Sequence, residues 1–138
     1  MDLPEKMSSR SLSDLGSPGR VLVVDDEPTV RRFTSRILEE HGFSVQVATD
    51  GLEALEALQS DSFLDLVVSD IVMPRLNGIE LYQTMSTMYP DIPVILMSGY
   101  GTDRLNELGI ALPCGVLAKP FLPKILISEV RRCMRQRN

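Results

Sequence analysis

Apolar residues gather in five short blocks along this chain, separated by stretches in which they recur every three or four positions. The blocks are Val21-Leu22-Val23-Val24, residues 43–48, Leu66-Val67-Val68, Val94-Ile95-Leu96-Met97 and Gly115-Val116-Leu117-Ala118. Continuous β-branched runs of this length suit strands buried on both faces, whereas the alternation in residues 43–48 suits a strand nearer a sheet edge.

The intervening stretches predict helices. Pro28 suits a first helical turn, Val30, Phe33, Ile37 and Leu38 fall on one face, and Gly42 supplies the stop. Asp50 with Glu53 makes a capping box for a short helix carrying Leu52, Leu55 and Leu58. Asn77 with Glu80 opens another, buried through Leu81, Met85 and Met88 and ended by Pro90. Residues 103–108 are expected to form one more short helix and residues 109–115 an irregular connection. A final helix presents Leu122, Ile125, Leu126, Val130 and Cys133. Strand and helix thus alternate about five times with short connections, which predicts an α/β fold: a doubly wound, five-stranded parallel sheet with helices on both faces.

Residues 1–19 hold five serines, two prolines and two glycines without apolar periodicity. They read as a flexible tail or linker ahead of a single domain over residues 20–138. The apolar fraction of 43% and charged fraction of 24% are ordinary for a globular protein. A net charge of −5 offers no footprint for nucleic acid. The arginines at 131, 132, 135 and 137 lie in the last turns of a helix, where cations are favoured in any case. No run approaches the roughly 20 apolar residues of a membrane span, and the N-terminus lacks a signal-peptide core. The expectation is a cytoplasmic domain with no direct contact to nucleic acid or membrane. Cys114 and Cys133 lie far apart and form no C-x-x-C, so they read as reduced thiols. His41, beside Gly42, reads as a helix-end dipole contact rather than a ligand.

Candidate chemistry sits where the blocks end: Asp25 and Asp26 after the first, Asp70 after the third, Ser98 after the fourth, Lys119 after the fifth. Parallel strands present their carboxyl ends on one edge, so these residues are expected to converge. In the flavodoxin-like order 2-1-3-4-5 the first and third strands are neighbours about 4.8 Å apart, at the point where the helices diverge. Three carboxylates gathered there repel one another, and Lys119 supplies a single positive charge. That imbalance argues for a divalent cation, and all-oxygen ligands favour Mg²⁺ over Zn²⁺. The chemistry suggested is phosphoryl transfer, with Asp70 as nucleophile, Asp25 and Asp26 holding metal, and Ser98 and Lys119 available to the phosphorylated form.

Four ordered runs and a glycine resemble the receiver domain of two-component response regulators: Val23-Val24-Asp25-Asp26-Glu27-Pro28, Asp70-Ile71-Val72-Met73-Pro74 with Gly78, Met97-Ser98-Gly99, and Lys119-Pro120-Phe121. The likeness spans residue 20 to about residue 134, and Met97-Ser98-Gly99-Tyr100 looks most like receivers attached to hybrid sensor histidine kinases. The resemblance implies that Asp70 takes phosphate from the phosphohistidine of a histidine kinase or histidine phosphotransfer domain. It implies direct Mg²⁺ ligation by Asp26, Asp70 and the Val72 carbonyl, with Asp25 supporting through water. Ser98 and Lys119 would contact the phosphoryl group, and the output surface would shift, with a phosphorylation-dependent dimer as one outcome. Val116 departs from the family, which usually carries an aromatic there; valine has one stiff rotamer and no ring to swing. Tyr100, with Val72, is expected to cover the site and limit water access. Two other readings fit parts of the pattern. An aspartate-nucleophile phosphatase of the haloacid-dehalogenase kind needs an acid where Val72 stands, and a degenerate receiver serving only as a scaffold would not need the full set of five groups. A parent hybrid kinase and a stand-alone regulator both remain open, and a receiver assists its own phosphorylation without being a turnover enzyme.

Overall fold

The apolar blocks form five parallel strands: β1 (Arg20–Val24), β2 (Ser44–Ala48), β3 (Leu66–Asp70), β4 (Val94–Ser98) and β5 (Gly115–Ala118). Helices α1 (Pro28–Glu40), α2 (Gly51–Ser60), α3 (Gly78–Met88) and α4 (Pro123–Arg135) cover them. This is a computed structural model, and it describes residues 19–99 and 109–136. The expected tail, Tyr100 and the helix at residues 103–108 therefore lie outside the described residues.

The strand order is β2-β1-β3-β4-β5, as expected. Successive side chains on a strand point to opposite faces, and here both faces are apolar. Leu22, Val24, Val67, Val94 and Leu96 pack on the α2/α3 side; Val21, Val23, Leu66, Val68, Ile95 and Met97 pack on the α1/α4 side. Each of these strand side chains is 4% exposed or less. At about 25 cal/mol per Å² of apolar surface removed from water, such a two-sided core is the main stabilising contribution. β2 lies at the edge, and Val47 there is half exposed.

Helix boundaries follow local chemistry. Pro28 stands in the first turn of α1, and the chain leaves that helix through Gly42 at φ 91°. Asn77 and Glu80 make the expected reciprocal cap, with bonds of 2.9 and 3.0 Å between each side chain and the other's backbone N–H. At α2 the cap is only half of the expected box. Asp50 accepts the Glu53 N–H at 3.0 Å, but the Glu53 carboxylate reaches one residue further back, to Thr49 N–H and hydroxyl at 3.0 and 2.6 Å.

Four inward faces differ from the expected ones. Phe33, Leu52, Met88, Leu122 and Ile125 are exposed. Thr34, Ser35, Ala54, Ala57 and Ile127 are buried instead. Thr34 and Ser35 share the inner stripe of α1 with Ile37 and Leu38, and Ala54 and Ala57 share that of α2 with Leu58; the Ser35 hydroxyl is satisfied by donating to the Arg31 carbonyl at 2.7 Å. Leu122 precedes the first turn of α4 as its cap, so it is off the inner stripe. Phe33 meets Phe121 at the rim, with ring centroids 6.1 Å apart.

The cysteines require a correction. Cys114 and Cys133 are joined by a disulfide across 19 residues of sequence, with Cα atoms 5.9 Å apart. β5 rises toward Lys119 and α4 descends from Pro123, so the last turn of α4 returns to the level where β5 begins. Arg132 reinforces the junction, donating to the Cys114 carbonyl at 2.6 Å while pairing with Glu129.

Candidate functional site

Register brings the strand ends level. Val24 lies opposite Ser69 on β3, so Asp25 follows at the height of Asp70; Asp70 lies opposite Met97, and Ser98 opposite Ala118, the residue before Lys119. Four of the expected residues, Asp25, Asp26, Asp70 and Lys119, are thus carried to one edge by the sheet register.

Asp25 is fully buried. Its Oδ1 accepts the Glu27 N–H at 2.9 Å, and its own carbonyl accepts Arg31 Nη1 at 2.7 Å. Asp70 accepts the Ile71 N–H at 2.9 Å. Lys119 bridges the two acids, with Nζ 3.2 Å from Asp25 Oδ2 and 3.2 Å from Asp70 Oδ1. Burial pushes the Asp70 carboxyl above the usual carboxylate range; Lys119 opposes the rise and the negative charge of Asp25 adds to it. Burial pulls Lys119 down, but Asp25 and Asp70 outweigh it and hold the ammonium above its ordinary value.

One oxygen each from Asp25, Asp26 and Asp70 lies within 4.8 Å of the others. Three carboxylates and one ammonium give −3 + 1 = −2 when all are ionised, which a divalent cation would balance. The donor set is all oxygen, with no imidazole or thiolate in the group, and so fits a hard ion such as Mg²⁺.

The remaining expected residues are placed less uniformly. Ser98 is buried at the end of β4, and its carbonyl accepts the Lys119 N–H at 2.9 Å. Val72 stands just past Asp70 and is 67% exposed. Val116 is half-buried on β5 against the core of the α2/α3 side. Tyr100 lies outside the described residues. Two contributors escaped sequence reasoning: Arg31 secures the β1–α1 turn and Arg75 ties the turn after β3 to Asp50. Gly78, already part of the motif after Asp70, lets α3 start against the Asp70 carbonyl, where a β-carbon would clash. No sequence signal distinguishes Arg31 or Arg75 from other surface arginines.

This geometry has known counterparts. The family model described as the response regulator receiver domain matches residues 21–131. The chain belongs to that family, the receiver domains of two-component signalling. It is 36% identical over 128 residues to the sensor kinase CckA of Brucella abortus, which covers 91% of this chain and 14% of the kinase. It is 37% identical over 122 residues to the response regulator MprA of Mycolicibacterium vanbaalenii, covering 86% of this chain and 52% of that regulator. Among solved structures, the response regulator TrrA of Thermotoga maritima, in complex with Mg²⁺ and BeF, superposes with a TM-score of 0.73 at 32% identity over 83% of this chain and 98% of that one. This receiver thus spans about half of one curated relative and a seventh of the other. Among the described residues, no helix is long and apolar enough to cross a membrane.

Proposed function

We propose that this receiver accepts a phosphoryl group on Asp70 from a phosphohistidine of a histidine kinase or histidine phosphotransfer domain, in the cytoplasm. The observation that carries the reading is Lys119 Nζ held 3.2 Å from both Asp25 and Asp70 at the mouth of an all-oxygen site. A carboxylate oxygen of Asp70 forms the new P–O bond while the P–N bond to the imidazole breaks; the electron pair of that bond stays on the ring nitrogen, and the imidazole, carrying its proton on the other ring nitrogen, leaves neutral. Asp25, Asp26, Asp70 and the Val72 carbonyl would hold Mg²⁺, which supplies charge neutralisation at the equatorial phosphoryl oxygens. Lys119, freed from part of its carboxylate pairing, turns to the new dianion, and the Ser98 hydroxyl offers it a further donor. The conformational output then follows from the redistribution of these bonds. The identities to a sensor kinase and to a response regulator support both a parent kinase and a stand-alone regulator as the setting.

Incubation with acetyl phosphate and Mg²⁺ tests the reading by intact mass and peptide mapping. One base-labile phosphoryl adduct is expected, absent in Asp70→Asn and suppressed by EDTA. An adduct on another residue, or one that persists in Asp70→Asn, overturns it.

A further inference from the structure

The turn between β3 and α3, residues 71–77, is secured by contacts from a different part of the molecule. Arg75 occupies left-handed backbone at φ 66° although it carries a β-carbon. Such a residue persists only where its surroundings over-determine it. Here Arg75 Nε donates to Asp50 Oδ2 at 2.7 Å, and the Asp50 side chain is 7% exposed. The other oxygen of Asp50 is committed to the Glu53 N–H at the start of α2. Next to it, Gly51 N–H donates to the Leu76 carbonyl at 2.9 Å, and a β-carbon on Gly51 would run into that carbonyl. The N-terminus of α2 and the turn therefore meet backbone to backbone. The Arg75 side chain is itself 55% exposed, so its pair adds little to global stability. Its effect is to select one conformation of a seven-residue turn that begins directly after Asp70.

We propose that Arg75 is a positioning residue, whose ion pair with Asp50 fixes the 71–77 turn so that Val72 is presented to the cation held by the three aspartates. The inference rests on the metal reading of the site. Groups that orient a metal's ligands without touching the metal contribute strongly to affinity when lost, and the chain from Asp50 through Arg75 to Val72 is of that kind.

The test uses the full 138-residue chain, with Mg²⁺ affinity by calorimetry and amide hydrogen exchange of residues 71–77 without metal. Arg75→Ala breaks the latch but keeps the β-carbon, and should weaken Mg²⁺ binding roughly 10-fold and speed exchange in the turn. Arg75→Gly also breaks it but tolerates the left-handed backbone, so it should lose less affinity. Arg75→Lys, which retains the charge, should recover part of it. All three should melt close to the wild type, which separates positioning from a merely structural role. Wild-type affinity with unchanged exchange in Arg75→Ala overturns the proposal. A wild-type chain that binds no Mg²⁺ overturns the metal reading instead, and metal-free exchange still reports whether the latch holds the turn.

Discussion

The disulfide offers the most quantitative prediction. It closes 19 residues of chain, from the start of β5 to the last turn of α4. Cross-linking a loop of that length removes unfolded-state entropy equivalent to about 3 kcal/mol at 25 °C. For a domain of this size that corresponds to roughly 10 °C in melting temperature. The perturbation is reduction with a phosphine, with Cys114→Ser as its genetic counterpart. Cys114 is the better position to change: it is half-buried, whereas Cys133 is fully buried and a serine hydroxyl there would add its own desolvation cost. Thermal unfolding by circular dichroism gives the midpoint, and a thiol titration of the denatured protein gives the redox state of the same sample. The oxidised protein should show no free thiol, the reduced protein two, with the lower midpoint; Cys114→Ser should melt with the reduced form whether or not reductant is present. Equal midpoints for samples shown to differ by two thiols would refute the entropy argument. Two free thiols after oxidative purification would refute the pairing itself.

Two further outcomes follow from the site. Burial raises the folded-state carboxyl of Asp70, so between its unfolded and folded values the native protein keeps a proton that the unfolded chain has lost. Stability present below the unfolded value is therefore lost as pH rises through the folded one. Metal-free Asp70→Asn should lack that loss and melt higher than wild type at neutral pH, while Mg²⁺ should raise the midpoint of the wild type more; parallel pH curves for the two proteins would contradict this. Gly78→Ala places a β-carbon against the Asp70 carbonyl and the Ile71 backbone, so α3 must back away from the strand end. A cost of about 2–4 kcal/mol is expected in urea unfolding, together with slower acetyl phosphate labelling; a change under about 0.5 kcal/mol would show that the helix start yields freely.

The parts of the fold set by long-range burial were legible from the chain. Val21-Leu22-Val23-Val24 and Val94-Ile95-Leu96-Met97 are apolar at every position, a pattern that suits a strand covered on both sides, and their alternation with helices pointed to a parallel sheet, for which the flavodoxin-like order was the expectation that the structure bears out. Asp25, Asp26, Asp70 and Lys119 were legible for the same reason, since each directly follows or closes such a run. Helix faces were less so. Ile125 and Ile127 are equally apolar, and which one turns inward depends on where the first turn begins, one residue after the Leu122 cap. The Cys114–Cys133 bond depended on two elements returning to one level in space, which linear separation does not encode. Arg75 depended on a backbone angle and on a distant helix cap, neither visible in its neighbours.

The reactive groups hang from the ends of four adjoining ribbons, β1, β3, β4 and β5, whose heights are locked by main-chain pairing, while the helices contribute their outward sides to solvent. Substitutions on the solvent side of a helix therefore leave the spacing of the acids and the amine alone, unless they remove a tie such as Arg31, whose guanidinium grips the main chain at Asp25.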